Sequence, residues 1–304
     1  MYDVIVVGGG VAGMTAALYA LRNGKSALVH EQHGFGGQIT YSPKVENYPG
    51  TLQMSGNEFA DNFLEQILAQ GAEVELETVT AVEDRGDTKL VRTEEGGEYE
   101  GGAVILATGV KHRMLGLPGE NELVGEGISF CAVCDGDFYA DRTVCVAGGG
   151  NSALQEAILL TGKCKKVIML QDLPVFTGEK TLQDVLFSRE NVEAHTNIRI
   201  TGLRQDGGAL TGVQTLDTAT GEEKTFDCDG LFLAIGLIPE NGAFAELAKL
   251  DERGYFDSGE DCETKTPGVF VAGDCRRKTL RQVTTAAGDG AVAAIAACRY
   301  LDAR

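Results

Sequence analysis

Cys131-Ala132-Val133-Cys134 places two thiols with only two residues between them. They are near enough in the chain to close a disulfide, and such a pair is a common redox centre. The other six cysteines, Cys145, Cys164, Cys228, Cys262, Cys275 and Cys298, are scattered through mostly apolar stretches, as expected of inert packing residues. A zinc site built on the same pair fails on ligand count. Structural zinc takes four ligands, commonly as two such pairs, and no second pair occurs. The four histidines, His30, His33, His112 and His195, are not spaced as a partner set and are expected at the surface or in polar networks. No metal is expected.

Two glycine turns flank the cysteines, and each needs a strand before it and a helix after it. Upstream, Val4-Ile5-Val6-Val7 runs into Gly8-x-Gly10-x-x-Gly13 and a helical pattern over 12–23. Downstream, Val144-Cys145-Val146-Ala147 runs into Gly148-x-Gly150-x-x-Ala153 and a helix to about Thr161. Such glycines permit a tight turn and let the backbone approach a pyrophosphate seated on the helix start. Glu31, roughly 20 residues past the first turn, is placed to bond a ribose hydroxyl. The second copy follows the first at an offset of 140 residues (Gly8 to Gly148). A duplication of this kind implies two Rossmann-type halves. Two dinucleotide turns around one dithiol suggest an electron path from nucleotide to a second nucleotide cofactor to disulfide, that is, a flavin-dependent disulfide reductase.

The remaining elements follow from periodicity and punctuation. Residues 57–70 carry helical apolar spacing and stop at Gly71. Short strands are predicted at 74–76, 79–82, 89–92 and 103–106, the last ending in the small-residue turn Ala107-Thr108-Gly109. In the second half strands are predicted at 143–147, 166–170, within 191–203, and at 212–216, 225–228 and 231–234. The turn Ile235-Gly236 then mirrors 107–109. The tail reads as a strand from about 266 into Ala272-Gly273-Asp274, then a small-residue helix to about Tyr300. Asp274 is well placed to accept a hydrogen bond from a polyol hydroxyl.

With 304 residues, 43% of them hydrophobic, the chain can bury a large core, and its length suggests two domains. Net charge is −19, from 26 basic and 45 acidic residues, which leaves no cationic footprint for nucleic acid and repels anionic membranes. No stretch reaches the roughly 18 apolar residues needed to span a bilayer. The N-terminal apolar run meets a glycine turn almost at once, so it reads as a first strand rather than a signal peptide. A cytoplasmic protein with mostly reduced cysteines is the expectation.

Taken together, Gly8–Gly13, Gly36-Gly37-Gln38, Val45–Gly50, Ala107–Gly109, Cys131–Gly136, Gly148–Ala153 and Ala272–Ala287 resemble the low-molecular-weight thioredoxin reductases across nearly the whole chain. The resemblance implies an α/β fold of two Rossmann-like three-layer nucleotide-binding domains, the second inserted in the first. FAD would bind residues 1–111 and 241–304, and a nicotinamide nucleotide the inserted residues 112–240. FAD contacts would fall on Gly8, Gly10, Gly13, Glu31, Gly37, Gln38, Asn47, Thr108, Gly109, Asp274, Arg281, Gln282 and Val283. Nicotinamide contacts would fall on Gly148, Gly150, Asn151, Ser152 and Gln171. Cys134 would accept electrons from reduced FAD, Cys131 would attack the partner's disulfide, and Asp135 would carry the proton, because a thiolate nucleophile needs a proton route. The resemblance further implies thioredoxin or a similar protein as partner, a homodimer, and rotation of the insert on hinges near 111–113 and 238–241.

One departure bears on the electron donor. The family selects NADPH with His-Arg-Arg, and a further Arg four residues on, after the strand ending here at Leu170. This chain has Gln171, Asp172, Leu173 and Thr177 there. A 2′-phosphate dianion would find no counter-charge, which is costly. Either Gln171 or Asp172 holds an unphosphorylated ribose and the donor is NADH, or nicotinamide use is lost, as in ferredoxin-dependent flavin thioredoxin reductases. The intact turn at 148–153 favours NADH. That turn and Leu182-Gln183-Asp184 also look like the NADH-using flavoprotein subunit of alkyl hydroperoxide reductase. A small-molecule dithiol oxidase on the same scaffold and a non-catalytic nucleotide-binding redox sensor are the competing functions.

Overall fold

The computed structural model describes residues 1–42 and 44–304. In chain order, β1 (Tyr2–Val7), α1 (Val11–Arg22), β2 (Ala27–His30), α2 (Gly56–Ala69), β3 (Glu73–Glu75), β4 (Val79–Asp84), β5 (Lys89–Thr93), β6 (Glu98–Leu106) and β7 (Lys111–His112) come first. The middle of the chain forms β8 (Ile128–Ser129), α3 (Ala132–Asp135), β9 (Thr143–Ala147), α4 (Asn151–Thr161), β10 (Lys166–Leu170), α5 (Lys180–Phe187), β11 (Val192–His195), β12 (Ile198–Asp206), β13 (Ala209–Asp217), β14 (Glu223–Asp227), β15 (Gly230–Leu233) and β16 (Leu237–Ile238). The tail adds β17 (Val269–Val271) and α6 (Val283–Asp302).

Two compact units result: residues 1–111 with 238–304, and residues 112–237. The chain returns to the first unit between Leu237 and Ile238, not at 240/241 as the sequence suggested. Glu240, one of the three residues that change sides, is tied to this unit through Lys111, and the next residue, Asn241, is buried in it. Its Nδ2 donates to the carbonyls of Gly254 (2.9 Å) and Cys275 (3.1 Å), and its Oδ1 accepts from Thr108 Oγ1 (2.7 Å).

In the first unit, parallel strands run β3-β2-β1-β6, with β17 on the C-terminal half of β6. The N-terminal half of β6 pairs antiparallel with β5, and β5 with β4. This double duty explains why β6 starts at Glu98, five residues ahead of its apolar run. Side chains alternate across β1 as strand geometry requires. Val4 and Val6 pack under α1, α2 and α6, while Ile5 and Val7 meet the β4–β5 side and the Phe244–Phe256 segment. The result is three layers.

The second unit repeats the plan with a parallel sheet β11-β10-β9-β15-β8 and a separate antiparallel meander β12-β13-β14. Val144, Val146, Val167 and Met169 face α4, and Cys145, Ala147, Ile168 and Leu170 face the meander. Both units are therefore the Rossmann-like α/β sandwiches expected. α5 has no counterpart in the sequence reading, because Leu186 alone among its residues is buried and the apolar stripe is too faint to show.

Candidate active site

Cys131 and Cys134 are joined in a disulfide with Cα atoms 5.3 Å apart, inside the usual range for the bond. The pair sits on α3, a single turn that the sequence reading left as a bare motif. Ser55 caps α2 with its hydroxyl, but here the sulfur of Cys131 occupies the capping position and accepts from Cys134 N at 3.2 Å. Ser129, at the end of β8, receives the Cys131 N–H on its Oγ (3.1 Å) and donates that hydroxyl to Asp135 Oδ2 (2.6 Å). From α4, the Glu156 carboxylate accepts the Ala132 N–H. The backbone donors of Cys131, Ala132 and Cys134 thus have assigned acceptors, which fixes the disulfide rather than leaving it on a loose loop.

Asp135 places a buried carboxyl next to the disulfide. Its Oδ1 is buried without a partner, and burial pushes its carboxyl above the ordinary aspartate range, against the opposing bond from Ser129. Glu156 is raised too, first by burial, and Asp135 adds to the rise while the Ala132 N–H opposes it. A carboxyl that holds its proton to higher pH beside a disulfide is suited to protonate a leaving thiolate.

The first unit assembles the predicted nucleotide turn. Gly8 adopts φ +111°, and a Cβ there would lie 2.3 Å from the Ala107 carbonyl, while one on Gly13 would lie 1.8 Å from the Gly8 carbonyl. Only glycine fits. Glu31 Oε2 accepts the Gly9 N–H (2.8 Å), so the predicted ribose ligand stands at the turn it was meant to serve. Gly37 comes within close reach of Gly10, and Gln38 follows in the same 3-10 turn. Asn47 Nδ2 donates to Gln282 Oε1 (3.2 Å), joining two segments 235 residues apart; Gln282 and Thr285 form a capping box at the start of α6, whose first residue is Val283.

Asp274, in a 3-10 turn after β17, has an unpartnered buried Oδ1, and burial raises its carboxyl to about 6 although Lys278 and Arg281 pull it down. An orphaned acceptor of this kind fits a polyol hydroxyl, as the flavin's ribityl chain would supply. Arg281 instead spends its guanidinium on the carbonyls of Asp274, Arg276 and Lys278 and lies over the Tyr255 ring. Gly109, at φ +65°, continues the turn beyond Thr108.

In the second unit Gly148 repeats Gly8, with φ +122° and a would-be Cβ 2.5 Å from the Ala234 carbonyl. Gln171 stands where Glu31 does in the first unit: it is buried against Gly149, and its Nε2 donates to Val175 O (3.1 Å). The segment after it folds back on the turn, with Thr177 N and Gly178 N both donating to Gly149 O. Gly150 begins α4. Asn151 is bound twice to Glu179, and Ser152 is exposed.

Two histidines depart from expectation. His30 is buried, edge-on to Tyr99, with neither ring nitrogen hydrogen-bonded. His112 stacks on Phe130 at 4.1 Å and is lowered to about 4 by burial. The six remaining cysteines are all buried free thiols. Among the described residues no helix is long and apolar enough to cross a membrane.

An internal disulfide beside a buried acid, on a scaffold of paired Rossmann-like units, is the layout of a disulfide oxidoreductase. Residues 2–290 match the pyridine nucleotide-disulphide oxidoreductase family. The chain belongs to that family and, within it, to the low-molecular-weight thioredoxin reductases, which are FAD-dependent. A thioredoxin reductase of Bacillus subtilis (strain 168) is 39% identical over 302 residues, covering 99% of this chain and 95% of the relative. One from Treponema pallidum (strain Nichols) is 38% identical, covering 99% and 97%. The crystal structure of thioredoxin reductase from Streptococcus pyogenes MGAS5005 superimposes with a TM-score of 0.93 at 38% identity, covering 100% and 99% of the two chains.

Ser129 and Glu156 are the site residues that the sequence reading missed. Ser129 carries no motif. Glu156 had a legible signal: it is an acidic residue beside the buried stripe Ala153, Ala157 and Leu160 of α4.

Proposed function

We propose that the chain carries electrons from NADH through FAD, held by the first unit, to the Cys131–Cys134 disulfide and on to thioredoxin or a thioredoxin-like protein. The observation that carries the reading is the clamped disulfide with one buried oxygen of Asp135, Oδ1, unpartnered beside it. FAD, when bound, supplies two-electron chemistry between a hydride donor and a disulfide. Gly8, Gly10, Gly13 and Gly37 would take its pyrophosphate and Glu31 a ribose. Asp274 would take the ribityl chain, with Gln38, Asn47, Thr108, Gly109 and residues 281–283 lining the remainder.

Reduction of the disulfide breaks the S–S bond and leaves a thiolate and a thiol. Cys131 then attacks the partner's disulfide, forming a mixed disulfide and expelling a partner thiolate. Cys134 attacks Cys131, releasing the second partner sulfur and restoring the internal bond. Asp135 gives up and regains the proton that these steps require. The net change is NADH, one proton and a disulfide going to NAD⁺ and a dithiol. The enzyme is proposed to act as a homodimer in the cytoplasm.

NADH is preferred because residues 171–178 contain no cationic side chain, so nothing there offsets a 2′-phosphate. The Gly148–Ala153 turn keeps the shape that a dinucleotide needs. The test is anaerobic bleaching of the flavin by NADH, NADPH or reduced ferredoxin side by side. NADH should act at the lowest concentration. Bleaching by NADPH at equally low concentration overturns the donor assignment, and bleaching by ferredoxin alone assigns the ferredoxin-dependent function instead.

A further inference from the structure

We propose that Glu156 is a positioning residue for the redox cysteines, holding the turn that carries them by accepting the Ala132 N–H. The inference rests on Cys131–Cys134 being the reactive pair.

α3 is one turn long and cannot stabilise itself, since nucleating a helix costs more than a single turn returns. Its conformation must be imposed from outside. Ser129 secures the Cys131 N–H and, through Asp135, the far end of the turn. Those are contacts within one short loop. Glu156 alone among these anchors comes from a long, packed helix: α4 spans 11 residues and buries Ala153, Leu154, Ala157 and Leu160 against the sheet. Through the Glu156 carboxylate the sheet-backed frame of the unit reaches the peptide between the two cysteines. Ala132 itself is fully buried, so its N–H has no water to turn to if that acceptor is lost. A loose turn would spread the sulfurs over several poses, and misplacement by about 1 Å can cost a large factor in rate.

The test compares E156Q with E156D in the FAD-loaded, full-length protein. Glutamine keeps an acceptor oxygen at the same reach and drops the charge. Aspartate keeps the charge and falls one methylene short. Reduction of a thioredoxin disulfide should retain more than half of kcat in E156Q and fall by about tenfold or more in E156D, with KM changed less than kcat in both. E156D as active as wild type, with E156Q impaired, would make charge rather than reach the operative property and overturn the proposal. Equal activities in the two variants, high or low, overturn it as well. C131S and C134S run alongside separate this inference from its premise: if they still reduce thioredoxin, the assignment of the cysteines has failed instead.

Discussion

At the scale of single residues, the proposed reactivity rests on Cys131, Cys134 and Asp135. C134S should abolish disulfide reduction while the protein stays yellow, read from the visible flavin spectrum. C131S should also lose turnover with thioredoxin yet still permit flavin reduction. For Asp135, burial lifts the carboxyl above its ordinary range, so it remains a proton donor at pH values where an exposed aspartate is already ionised. D135N should lower kcat by about a hundredfold, the lower range for losing a positioned acid. The titration above the ordinary carboxyl range should vanish from its pH–rate profile, and an unchanged profile would contradict the assignment. The cysteine pair was legible because only two residues separate it, and Asp135 entered through the family resemblance of the same stretch. Glu156 was missed although it stands beside the apolar stripe of its helix, because nothing in the sequence links it to a turn 24 residues away.

At the scale of elements, the nucleotide turn of the first unit depends on close packing of α1 against α6 through alanine and glycine. A Cβ on Gly290 would lie 2.2 Å from the Ala12 carbonyl. G290A should therefore lower stability by about 1–3 kcal/mol, the usual cost of overpacking, seen as a fall in melting temperature; an unchanged melt would mean that the helices part without cost. The turn after β17 makes a prediction with a definite sign. Asp274 is raised from 3.8 to about 6 by burial, so between those values the folded protein keeps a proton that the unfolded chain has released. Stability contributed there falls as pH rises, and the full penalty stands above about pH 6. In FAD-stripped protein D274N should gain up to about 3 kcal/mol over wild type above that pH and almost nothing below pH 4. A gain independent of pH would contradict the cause given. The strands and long helices were legible from alternation, 3.6-residue spacing and glycine stops. α3 was not, since four residues show no period, and neither was the early start of β6, which depends on pairing with β5.

At the scale of the whole molecule, the 140-residue repeat announced the two-unit architecture, and corresponding positions behave alike. Gly8 and Gly148 share a left-handed backbone and the same forbidden approach to a carbonyl. Their differences are equally informative: Glu31 faces the first turn with a carboxylate, whereas Gln171 faces the second with a neutral amide. What composition could not supply was the point of return to the first unit, where Glu240 pairs with Lys111 and Asn241 is held by buried hydrogen bonds. The central claim is that reducing equivalents are stored both on the flavin and on Cys131–Cys134. Anaerobic reductive titration of wild type beside C134S tests it directly. Wild type should take up twice as much reductant per flavin as C134S, one electron pair for FAD and one for the disulfide; equal uptake by the two proteins would contradict the account.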